Sequence, residues 1–401
     1  MPESILYLLY SLVCLSLAYR FDRSDGKMLF FFSSPFVIFL SLFPLHFELG
    51  LGQASGWMEL NSFELSYRSW FWLIIIISSY TLAFFICLVL NFNLNRASSF
   101  KSDIYNLKSV RKWFYILGLL SLFACLINFS RVNFSLSLLF VSPRQYEETF
   151  GMYWFINYMY FLHIPSLILF SIIAYEGRLK KIDVIFSILV FFGAFFHGIK
   201  YTVFDAIFFP LIYYIGLVGF SKLRKQFFKA IFFFLIFFIL FSAYVRGSND
   251  AVDFLSFLNY LIPNYYNLFY AIELNPFPLS LPLDSFMLFA SAHFSDSLGA
   301  ERLVGGFVLN DKYNMMTGSG NLIESLGIFG FVFYYLFINT VVLKIQGRYV
   351  FSVFIKSYLL FSYLMFFYSY YIGSKPKYIY LLLVMLCLDI VLRKSSKVNK
   401  C

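Results

Sequence analysis

IFFFLIFFILFSAYV, residues 231–245, runs without a charge and stops at Arg246; LIESLGIFGFVFYYLFI, residues 322–338, resumes the same apolar character. Between them lies a polar stretch, 246–321, set among hydrophobic segments on both sides. A connection of that size is uncommon unless it is functional or disordered. Its Phe- and Tyr-rich segment DFLSFLNYLIPNYYNLFYAIE (253–273) predicts an interfacial helix bent at Pro263, and NPFPLSLP (275–282) a stiff extended turn. The stretch is therefore expected to be an ordered loop outside a membrane, placed to act on a membrane-bound substrate.

Working outward, the rest of the chain repeats this pattern. Hydrophobic residues make up 61% of the 401 and charged residues 13%, and mean hydropathy is +0.76. That composition excludes an ordinary soluble domain. Apolar segments suited to a hydrocarbon core of roughly 30 Å fall near 4–19, 28–45, 70–93, 113–130, 153–175, 182–197, 202–220, 230–245, 322–343, 349–371 and 378–392. The expected fold is an all-α polytopic membrane protein of eleven spans, one integral domain over 1–401 with the 246–321 loop inside it. We read no internal repeat and no separable soluble domain.

Charge sets the orientation. The connections 20–27, 96–112, 176–181, 221–229 and 344–348 and the tail 393–400 hold 21 of the 31 Lys and Arg residues. The positive-inside rule puts these in the cytoplasm, and the N-terminus and the 246–321 loop outside. The net charge of +10 is then a topology signal and an attraction to anionic lipid, not a nucleic-acid footprint. MPES offers no basic n-region, so the first span is expected to stay as an anchor. Cys14, Cys87, Cys125 and Cys387 fall in spans and Cys401 ends the chain, an arrangement that suggests neither a disulfide nor a metal cluster. His46, His163, His197 and His293 are scattered without ligand spacing, and the close acid pairs Glu147–Glu148 and Asp250–Asp253 read as solvated loop acids. No metal and no cofactor is expected.

The outer face has most of the chemical variety. Arg131 and Arg144 lie in one outer loop, Lys200 at the turn HGIKYTVFD, and Arg246 at the start of the long loop. Cations gathered there suit a pyrophosphate, and Arg is the better fit because its fork donates two parallel hydrogen bonds. The plain alternative is that each anchors a span end. Asp205 invites pairing with Lys200, but five residues put them about 140° apart around a helix, so they face each other only if the helix starts after Lys200. In KYNMMTGSGNLIESLGIFG (312–330), Gly318 and Gly320 allow tight backbone, Asn321 is expected to cap a following helix, and Glu324 then falls one turn in. A capped loop-to-helix junction explains the glycines and leaves Glu324 without a reason. His293, in the long loop, is a candidate general base.

The order of these parts resembles the O-antigen polymerase family (Wzy-type) and, more distantly, the O-antigen ligases. The shared features are SPRQYEETFG on a basic outer loop, the turn GIKYTVFDAIFFPLI, Arg246 opening the large loop, and YNMMTGSGNLIESLGIFG closing it. The resemblance implies a GT-C-like fold in a bacterial inner membrane, with the N-terminus and the large loop periplasmic and the C-terminus cytoplasmic. It also implies metal-independent, inverting glycosyl transfer, in which the growing glycan leaves undecaprenyl pyrophosphate for the next lipid-linked repeat unit. Arg144, Lys200 and Arg246 would then hold the pyrophosphate, and Tyr313 and Asn314 the sugar or acceptor. Glu324, Arg246 and His293 would carry the chemistry. A flippase and a chain-length regulator are the implied partners. Neither Arg144 nor Arg246 has the glycine spacing of some members, and the ligases' catalytic His before the final loop helix is absent, with Asn314 or Ser319 nearby instead. The alternatives are a flippase for lipid-linked oligosaccharides, which predicts repeats and short loops, and a ligase.

Overall fold

The computed structural model describes residues 2–48, 66–90, 100–135, 137–138, 143–150, 154–196, 200–246, 265, 268, 333–365 and 376–398. Among these residues the chain is helical and contains no strand. In chain order the helices are α1 (Pro2–Phe21), α2 (Met28–Glu48), α3 (Tyr67–Val89), α4 (Leu107–Arg131), α5 (Pro143–Phe150), α6 (Trp154–Tyr160) and α7 (His163–Tyr175). They continue with α8 (Lys181–Phe195), α9 (Lys200–Val218), α10 (Phe220–Arg246), α11 (Phe333–Lys344), α12 (Val350–Leu364) and α13 (Pro376–Val398). Among the described residues, five segments are long and apolar enough to cross a membrane: Glu3–Phe21, Asp25–Leu45, Ser69–Val89, Leu107–Arg131 and Phe155–Tyr175. This is the make-up of a helical membrane protein.

Contacts divide the chain into two compact units, each assembled from distant segments. The first takes Met1–Asn95, Asp250–Lys344 and Ser362–Lys375. Its α1–α2 turn is built around Asp22, whose carboxylate accepts from the Ser24 N–H at 2.7 Å and the Phe30 N–H at 2.9 Å. Gly26 turns the chain with φ +57°. Burial pushes the Asp22 carboxyl above the usual carboxylate range, against those hydrogen bonds. Aromatic side chains fill the interior: Tyr80 meets Tyr335 edge-on at 5.5 Å, and Tyr265 stacks on Phe43 at 5.2 Å.

The second unit takes Arg96–Asn249, Ile345–Phe361 and Pro376–Cys401. In lipid the hydrophobic effect does not hold helices together, so small residues and interhelical hydrogen bonds do. Gly118 of α4 shows the first device, because a Cβ there would stand 2.5 Å from the Phe186 ring of α8. The second device joins α4 to α6 and α7. Ser166 Oγ donates to the Phe114 carbonyl at 2.9 Å, and Ser121 Oγ to the Tyr160 carbonyl at 2.6 Å. On α9, Phe209 packs against Phe361 at 4.4 Å and Phe354 at 5.9 Å.

One span differs from the sequence expectation. Residues 153–175 read as a single helix, yet the helix breaks at Phe161 and Leu162. Pro165 is the cause: it has no N–H for the Phe161 carbonyl, and its ring would clash there. The Ile164 N–H turns to the Phe161 carbonyl at 3.2 Å. That releases the Tyr160 carbonyl for side chains, a change that matters for His163 below.

Candidate functional site

Helices α7, α9 and α13 begin at one end of the second unit, and α4, α8 and α10 finish there. Short helix α5 is tied to the same end, since Tyr146 donates to the Phe196 carbonyl at 2.6 Å and stacks on Phe150. The backbone positions of Arg144 on α5, Lys200 opening α9 and Arg246 ending α10 thus come to one end of the bundle. Their side chains lie outside the described residues. His293, Tyr313, Asn314 and Glu324, with nearly all of the 246–321 loop, lie outside them altogether.

Asp205 is fully buried on α9 and pairs with Lys377. Lys377 Nζ lies 2.5 Å from Asp205 Oδ2, with the lysine side chain 11% exposed. Tyr378 donates to the other carboxylate oxygen at 3.1 Å. The ammonium also sits over the rings of Phe161, at 5.2 Å, and Tyr378, at 4.9 Å, two cation–π contacts that help replace lost water. An acid in an apolar segment needs such partners. His163, which opens α7, is wholly buried; its Nδ1 lies 2.8 Å from the freed Tyr160 carbonyl. Sequence reasoning gave His163 no role, although Pro165 two residues on was the signal that its backbone would be exceptional.

The other end of the unit is organised differently. Arg111 meets Asp183 at 3.3 Å, and Tyr115 donates to the same carboxylate. Arg393 pairs with Asp389, which also accepts from Tyr105 at 2.6 Å. Burial, with the neighbouring Asp389 carboxylate, pushes the Tyr105 hydroxyl up in pKa. These acids are closed off by arginines and tyrosines and read as structural locks.

Below the Asp205–Lys377 layer, a groove of about 500 Å³ runs between α7, α8 and α9. Leu167, Phe170, Ile188, Phe191, Leu211 and Tyr214 line it, with Ser171 and Ser187 adding hydroxyls. Among the described residues no cluster of His, Cys, Asp and Glu is grouped to hold a metal ion. Fold and site together define a helical membrane protein with a polar layer at one end of a bundle and an apolar groove beneath it. Compared with known proteins, the chain matches no family model, no curated protein and no solved structure.

Proposed function

We propose that the chain polymerises lipid-linked oligosaccharide repeat units, as an eleven-span, GT-C-like glycosyltransferase of the bacterial inner membrane. The growing glycan is transferred from undecaprenyl pyrophosphate to the next lipid-linked unit on the periplasmic face. The observation that carries this reading is the polar layer of Asp205, Lys377 and His163 over an apolar groove between α7, α8 and α9. An amphiphile with a hydroxyl-rich head and a hydrocarbon tail is matched by both parts. The convergence of the Arg144, Lys200 and Arg246 backbone positions on the same end supports a leaving pyrophosphate there.

The physical logic is electrostatic. Pyrophosphate leaves readily once its developing charge is stabilised, and preorganised cations do this best in a water-poor site. Glu324 or His293 takes the acceptor proton in this reading, and no covalent intermediate is needed. The O-antigen polymerase resemblance supplies the reaction, and the chain-length regulator and flippase as partners. Replacing Arg246 tests it: Arg246→Ala abolishes polymer at normal protein levels, and Arg246→Lys restores little because the fork is lost. Full-length polymer from Arg246→Ala contradicts the assignment.

A further inference from the structure

The seam between α7 and α9 has a fixed register. Leu167 and Ala206 share one core cluster, and one turn further along both helices Ser171 Oγ donates to the Pro210 carbonyl at 3.3 Å. One turn in the opposite direction stand His163 on α7 and Thr202 on α9. Each lies four residues from its packed neighbour, so each is on the same helix face as that neighbour. By this register His163 and Thr202 stand at the same level, at the end of the seam, and Asp205, which pairs with Lys377, follows Thr202 by one turn of α9.

Both side chains are buried and incompletely used. A carbonyl only accepts, so the bond to Tyr160 puts the proton on His163 Nδ1 and leaves a lone pair on Nε2. That Nε2 and the Thr202 hydroxyl have no hydrogen-bond partner among the described residues. Buried polar atoms without partners are rare, and two at one level of the same seam call for an explanation. Lys377 adds to the set: an ammonium has three N–H donors, and its hydrogen bond here goes to Asp205.

We infer that this layer is a binding site for a sugar ring of the glycosyl acceptor, an inference that rests on the function proposed above. His163 Nε2 accepts from one ring hydroxyl, and the Thr202 hydroxyl donates to or accepts from another. Lys377 donates to a ring or hydroxyl oxygen. Mixed donors and acceptors suit hydroxyls; the Asp205 carboxylate repels a bare anion, and an apolar chain leaves every one of these groups unmatched. The groove begins directly beneath, at Leu167 and Ala206, which puts a hydrocarbon tail and its sugar in register.

The test returns the full-length chain to cells lacking it, as wild type, Thr202→Val and His163→Asn, with membrane levels followed by immunoblot. Val keeps the shape of Thr and deletes only a hydroxyl unpaired within the described residues, so the purified variant melts no lower than wild type. Asn keeps a donor where Nδ1 stands and deletes Nε2. Each is expected to lower polymer per unit of chain by about tenfold, the worth of one hydrogen bond. A purely structural role predicts no loss for Thr202→Val. Wild-type polymer from both variants at wild-type levels overturns the site while leaving the polymerase reading standing.

A second measurement reads binding without turnover. The lipid-free single-repeat oligosaccharide, released by mild acid from the same cells, is added in excess to the purified chain. It should raise the Tm of wild type and not that of Thr202→Val; no rise in wild type overturns the site. Cells that polymerise normally without the chain overturn the polymerase reading, and the acceptor site falls with it.

Discussion

Asp205 sits five residues into α9 in an apolar run, where an ionised carboxylate is costly. That cost was legible from the sequence; its remedy was not. Helical spacing argued against Lys200 within one helix, and the structure supplies Lys377, 172 residues away in sequence. No local pattern encodes a pairing that distant. Breaking a buried pair strands a charge, at about 3–5 kcal/mol, whereas replacing both partners is often neutral. Lys377→Met should therefore lower the melting temperature of the purified protein, and Asp205→Asn combined with Lys377→Met should recover most of the loss. Equal instability of the single and double variants contradicts the pairing as the source of the effect. His163 followed the same rule of legibility: the residue was visible, but its fixed tautomer depends on a carbonyl released by Pro165.

At the scale of elements, hydropathy located the five described segments long and apolar enough to cross a membrane, because length and apolarity are properties of a contiguous stretch. The exception is instructive. The α6–α7 break falls where one proline removes one donor, a local effect that a window average smooths away. The excess of Lys and Arg in alternate connections was readable in the same way, but the ion pairs at the helix ends were not. Arg111 and Arg393 close off Asp183 and Asp389 at one end of the second unit, and Lys377 meets Asp205 at the other. The proposed orientation puts the arginine end in the cytoplasm and the start of α7, α9 and α13 outside. A phosphatase fused near Asp284 should then be active and one at Lys400 silent; the reverse pattern contradicts the orientation.

For the whole molecule, the sequence showed a chain of apolar segments but not its division into two units. Each unit gathers segments far apart in the chain, and nothing in composition marks where one unit hands over to the other. The account's central claim concerns the whole molecule as well: amphiphilic lipid-linked glycans are joined at the end of the bundle that holds Asp205, Lys377 and His163. The most direct measurement is the glycan length profile of cells lacking the chain, beside the same cells with it restored. The account predicts capped single-repeat glycans without the chain and the full ladder on restoration. An unchanged ladder, or lipid-linked units stranded on the cytoplasmic side as loss of a flippase would leave them, contradicts it.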